Sequence, residues 1–255
     1  MNTARILLKF ASSQRNSVFP EHIYSALLGI VRERNKNVSA LMHDEKIKPV
    51  KIAFSCEGKF VNVEVCSVGE KISEEIYLAC EDVLKKKKPV RFGRNQFFLS
   101  SIRPEDTSFP DGRYGFFILD GSFCMGKAIK MEFLSPTAFR TGDRNYLFPE
   151  PGYVFNVLLK KWERFCGEDE KLKVSRDDFN ERNIFVVRHR IFTEVFETRL
   201  EKMAGFVGNC VYEIDRDAPD SFKYAASVLF EFASFSGVGL KTALGMGNVR
   251  TEVLK

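Results

Sequence analysis

Along this chain the apolar period switches between two and about 3.6 residues, and it does so in the same order twice. Residues 3–10 alternate as a strand does. Pro20 then opens a helix, with Ile23, Ala26, Leu27, Ile30 and Val31 spaced three and four apart. Two β-like runs, 50–56 and 59–68, meet at Glu57-Gly58, a hairpin signal. A second amphipathic helix fits 70–86 and ends in Lys85 to Lys88, cations suited to the negative end of a helix. Runs from Val90 and from Phe97 to Ile102 complete the unit. Residues 104–112 read as a loop and Tyr114 to Leu119 as one more short strand. The second round has a strand at 127–134, a helix at 153–165, β-runs at 183–199 and 205–214, a helix at 219–234 and a strand at 247–254. The expected fold is α+β: two tandem ferredoxin-like (βαββαβ) domains, residues 1–121 and 122–255.

The 255 residues suit two domains of about 120 residues each. An apolar fraction of 44% with 25 phenylalanines supports packed cores and argues against disorder. No apolar run is long enough for a bilayer, and the first residues lack a signal-peptide layout, so a cytoplasmic protein without a membrane partner is expected. The six cysteines (Cys56, Cys66, Cys80, Cys124, Cys166, Cys210) stand singly and there are only three histidines, so neither a metal site nor a cofactor is expected. The net charge is +5, and residues 1–60 carry all of it, with ten Lys/Arg against five Asp/Glu. A polyanion would be drawn to that quarter.

The stretch Phe235-Ser-Gly-Val-Gly-Leu-Lys-Thr-Ala-Leu-Gly-Met-Gly-Asn-Val249 joins the last helix to the last strand. Gly237, Gly239, Gly245 and Gly247 bracket Lys241 and Thr242, and such a loop is expected to offer N–H groups to an anion. It fits neither a P-loop nor G-x-G-x-x-G. Alone, it is also an ordinary turn between a helix and a strand.

Three further stretches accompany it in order: Phe133-Leu-Ser-Pro-Thr-Ala-Phe-Arg140, Phe148-Pro-Glu-Pro151 before the Trp162 helix, and Gly205-Phe-Val-Gly208. Together these resemble the repeat-associated RNA-binding superfamily of CRISPR systems, and within it the CRISPR repeat-cleaving endoribonuclease, the sixth CRISPR-associated family. The resemblance implies tandem ferredoxin-like domains and CRISPR repeat RNA as partner. It also implies metal-independent cutting of precursor CRISPR RNA within each repeat, leaving 2′,3′-cyclic phosphate and 5′-hydroxyl ends. A homodimer and a place in a CRISPR effector complex are both compatible with it. The alternative within the superfamily is a non-catalytic RNA-binding subunit of an effector complex. An unrelated α+β protein binding a phosphate metabolite is a third.

Metal-free RNA cleavage needs a group to take the 2′-OH proton, one to protonate the 5′-oxygen, and a cation for the phosphorane. His43 lies in a polar turn inside the basic quarter. Leu41-Met-His43, followed by Lys48 and Lys51, occupies the place of the family's catalytic Leu-x-His stretch and lysine. His22, at the start of the first helix, is an assisting group, an RNA contact or a helix cap. The family's helix tyrosine has no match at Leu28-Gly29-Ile30, and Tyr24 stands more than a turn earlier. Arg188 and Arg190 flank His189 on one face of a long strand, and Arg140 follows Ser135-Pro136-Thr137. These three arginines, Lys241, Thr242 and the four loop glycines form the expected RNA-binding set.

Overall fold

The computed structural model describes residues 2–13, 18–104, 117–118 and 128–254. The expected boundary at 121/122, the loop at 105–112 and Tyr114 lie outside the described residues.

In the first half the alternation of β1 (Asn2–Ala11) buries Ala4, Ile6, Leu8 and Phe10 on one face. Helix α1 (Pro20–Arg34) starts with Pro20 in its first turn, Glu21 beside it, and buries Ile23, Ala26, Leu27, Ile30 and Val31. Next comes α2 (Lys36–Asp44), nine residues long, capped by the Asn35 side chain accepting from the Val38 N–H at 3.1 Å. His43 therefore sits in the last turn of a helix, where the sequence suggests a polar turn. Strands β2 (Val50–Glu57) and β3 (Phe60–Val68) form the expected hairpin, and α3 (Glu70–Lys85) returns over the sheet. Strands β4 (Pro89–Phe92) and β5 (Asn95–Pro104) follow. The strand order is β2-β3-β1-β5-β4, with β6 (Phe117–Ile118) pairing the start of β1. Removing β4 and β6 leaves the antiparallel order of a ferredoxin-like sheet.

The second half repeats the plan. Strand β7 (Ile129–Thr137) is followed by a small hairpin, β8 (Phe139–Thr141) and β9 (Arg144–Tyr146), which the sequence reading missed. Then come α4 (Pro151–Phe165), β10 (Ile184–Glu197), β11 (Lys202–Ile214), α5 (Asp220–Ser236) and β12 (Val249–Val253). The sheet order is β10-β11-β7-β12, all antiparallel. The fold is two ferredoxin-like units in tandem.

Each unit has its own apolar cluster, and the clusters interlock. Cys66 and Val68 of β3 pack into the second, while Ala243 from the glycine-rich loop packs into the first. The two halves therefore meet along the end of α5 and the loop that follows it, and this seam positions the candidate site.

Candidate active site

The α1–α2 pair is an antiparallel hairpin. The Ser39 hydroxyl donates to Leu28 O at 3.0 Å and the Tyr24 hydroxyl to Met42 O at 2.6 Å. The second bond fixes the backbone immediately before His43, so Tyr24 reaches the place where the sequence had shown no partner. Burial pushes the Tyr24 phenol up to about 12. The His43 ring is 70% exposed, with Nδ1 2.9 Å from Asp44 Oδ1 and the opposite nitrogen left for another partner. Lys48 folds back to donate from Nζ to His43 O. Burial lowers its pKa, against the opposing pull of Asp44 and Glu45. Glu45 forms a two-point ion pair with Arg164 near the end of α4, which ties the His43 turn to the second half of the chain.

Beyond this turn lies a cleft lined by Lys46, Ile47, Lys48, Val157, Lys160, Lys161, Gly237, Gly239, Leu240, Lys241 and Thr242. The structure thus gathers Lys48, Lys241, Thr242, Gly237 and Gly239 around one opening, and Lys48 ties the backbone of His43 to it. Burial lowers the Lys161 pKa to about 7, and the Lys51 charge behind it acts in the same direction. Among the described residues, no group of three His, Cys, Asp or Glu side chains could hold a metal ion.

Lys51 belongs elsewhere. It is 1% exposed, pairs with Glu64 at 2.9 Å, and donates to Ser234 O and Asn248 Oδ1, each at 2.8 Å. It is a cross-link in the seam, because α5 covers the face of β2 that alternation assigns to solvent. His22 turns the other way from Tyr24, since two residues separate side chains by roughly 200° around a helix. Its ring lies against Gly93 in the β4–β5 turn and 5.8 Å from the Phe19 ring. The helix thus turns His22 away from the α2 side on which Tyr24 meets Met42. Arg140 donates to Asp143 O within the β8–β9 hairpin, and Arg188 and Arg190 are exposed on the edge strand β10. None of the three lines the cleft.

The loop is not the open cradle of N–H groups that its glycines suggest. Val238 N donates to Gly247 O, Leu240 N to Ala138 O, Met246 N to Lys241 O, and Gly247 N to Pro136 O. The glycines serve close packing. A Cβ on Gly247 would lie 1.9 Å from Val238 O, and one on Gly239 2.5 Å from Ala138 O, both at positive φ. Gly237 and Gly245 are buried, the latter against Phe54 of β2. What the loop projects is Lys241, left-handed at φ 52 and paired with Glu201 in the β10–β11 turn.

Lys160 and Lys161 escaped the sequence reading, and Lys46, three residues after His43, was not counted in the expected site. Lys161 had a signal: it sits on the buried stripe of α4 with Val154, Leu158 and Trp162, where an apolar residue is the rule.

A family model described as CRISPR-associated endoribonuclease Cas6 matches residues 131–249. A Streptococcus thermophilus protein of the same description is 24% identical over 123 residues, 48% of this chain and 50% of that protein. One from Mycobacterium tuberculosis is 27% identical over 128 residues, 50% of this chain and 40% of its own length. A solved structure described as a Cas6 product complex superposes with a TM-score of 0.78 at 25% identity, covering 99% of this chain and 100% of that one. Nearly half of this chain is therefore similar to the Cas6 family. The chain spans about half the length of the curated relatives it matches, or less. The family match covers α4, the long β10–β11 hairpin and the glycine-rich loop, whereas His43 and Lys48 lie N-terminal to it.

Proposed function

We propose that the protein is an endoribonuclease that binds CRISPR repeat RNA and cleaves precursor CRISPR RNA within each repeat. The observation that carries this reading is an exposed histidine, His43, whose backbone carbonyl is held by Lys48, a lining residue of a lysine-rich cleft formed with the glycine-rich loop. In the reaction the ribose 2′-oxygen attacks the adjacent phosphorus, the P–O5′ bond breaks, and a 2′,3′-cyclic phosphate and a 5′-hydroxyl result. One proton leaves the 2′-OH and one reaches the 5′-oxygen. The outward nitrogen of His43 makes one of these transfers. Lys48, whose ammonium burial makes a readier donor, or water makes the other. The lysines about the cleft supply positive charge for the phosphorane.

The test is incubation with the repeat RNA encoded beside the gene, in EDTA. Cleavage once per repeat is expected, and a 2′-deoxy nucleotide at the cut should stop cleavage while binding persists. A parental protein that binds the repeat and never cuts it would establish the non-catalytic subunit instead.

A further inference from the structure

Among the described residues, two openings on the surface are large enough to hold part of a ligand. The larger, about 790 Å³, is an open groove on the first sheet, where Glu64 opposes Lys9 and Arg103 and no histidine is present. The smaller, about 200 Å³, is the cleft beside His43, and its charged lining side chains are all lysines. At roughly 30 Å³ per water, it has room for several waters or a small anion.

Lys161 forms its floor. It is 6% exposed, and an ammonium has three N–H donors. One is directed to Ser236 O and one to Thr242 Oγ1 at 3.4 Å, which leaves a third. Among the described residues no carboxylate pairs with Lys161, nor with Lys46 or Lys160 on the walls, whereas Lys241 has Glu201. A buried charge without a counter-charge is unfavourable. Its position is explained if an anion arrives from the open side.

We propose that this cleft seats a backbone phosphate of the RNA beside His43, with Lys161 as its floor and Lys46 and Lys160 as its walls. The inference rests on the ribonuclease reading and adds three phosphate ligands to it. The compact ammonium suits a phosphate oxygen as a point charge. Because Lys161 also holds Ser236 O and Thr242 Oγ1, an occupied seat would brace the loop that carries Lys241.

The experiment measures repeat-RNA affinity across a range of KCl for the parent, Lys46→Ala, Lys160→Ala and Lys161→Met. Lys87→Ala, on the exposed lysine run after α3, is the control. Each cleft variant should bind several-fold more weakly at low salt, with a log–log salt slope shallower by about 0.7, the value per phosphate for a single strand. The control should match the parent. A second arm uses inorganic phosphate alone: it should raise the melting temperature of the parent, and Lys160→Ala should lose much of that rise. If the parent binds and cuts RNA while all three variants keep its affinity and slope, the seat is overturned and the ribonuclease stands. If RNA is neither bound nor cut but phosphate still stabilises the parent through Lys160, the ribonuclease reading fails and the seat survives as an anion site. Should Lys161→Met not fold, the two wall variants and the phosphate arm decide the matter.

Discussion

Lys51 of β2 donates to the side-chain oxygen of Asn248, 197 residues later in the chain, at 2.8 Å. The same ammonium holds Ser234 O at 2.8 Å and Glu64 at 2.9 Å. Arg5 Nη2 reaches Ser234 O as well, at 3.5 Å, and Lys161 holds Ser236 O. The final carbonyls of α5 have no later turn to donate to them, so they need such partners. Cations from both halves provide them at the negative end of the helix. This clasp sets the angle at which the glycine-rich loop leaves α5, and so the width of the cleft.

Lys51→Met should therefore act on stability. Removing one partner of a buried ion pair costs about 3–5 kcal/mol, and Glu64 is 27% exposed, so the lower end is expected. Urea unfolding should show this loss, and Glu64→Gln in the same chain should recover part of it. Cleavage that vanishes in a Lys51→Met protein of parental stability would place Lys51 in the chemistry.

The loop glycines differ in what they do. Gly247→Ala drives a Cβ into Val238 O at 1.9 Å and should cost at least about 2 kcal/mol, whereas Gly142→Ala, with nothing within 4 Å, should cost about 1 kcal/mol from its positive φ alone. Thermal unfolding of both variants checks the ranking. Equal melting temperatures would mean that the Val238–Gly247 contact relaxes freely.

Lys161 should leave a mark on the pH dependence of stability. Its ammonium loses a proton near pH 7 in the folded protein, against 10.5 as the ordinary lysine value. Between these values the unfolded chain holds the extra proton, so this group raises stability as pH climbs from 7 toward 10.5 and adds nothing further below 7. Lys51 behind it acts in the same sense, and the Cys66 thiol opposes both. The parent should gain on Lys161→Met by on the order of 2 kcal/mol between pH 7 and pH 9, read from urea midpoints. A constant difference across that interval would mean that Lys161 stays charged in the fold.

Lys241 and Glu201 should shift RNA affinity in opposite directions. Lys241→Ala removes a cation from the cleft and should weaken repeat binding, with the salt slope shallower by about 0.7. Glu201→Gln frees Lys241 from its ion pair and should tighten binding at low salt. Filter binding or anisotropy with repeat RNA reads both.

Much of the fold was legible because alternation and helical stripes report burial directly, as Ile6, Leu8 and Phe10 in β1 and Leu158 and Trp162 in α4 show. The β8–β9 hairpin was not, since strands of three residues carry too little period. His43 was read as part of a polar turn because α2, with only Val38, Ser39 and Met42 buried, carries a weak stripe. At the site, Lys48 and Lys241, expected from the family likeness, line one cleft, and His43 is bonded to Lys48. Lys51 was misplaced for a physical reason: a strand shows which residues share a face, not which element later covers that face. The glycine loop misled similarly, because spacing reveals conformational freedom but not the carbonyls its N–H groups already meet.

Whether His43 transfers a proton during cleavage is read by single-turnover kinetics with saturating protein and repeat RNA. His43→Ala should cut on the order of 10²–10⁴-fold more slowly, with affinity for the repeat close to the parent's. His22→Ala, altered on the far side of α1, should stay near the parental rate. A His43→Ala protein that cuts at the parental rate while His22→Ala is inactive would contradict the account and move the active site to the other histidine.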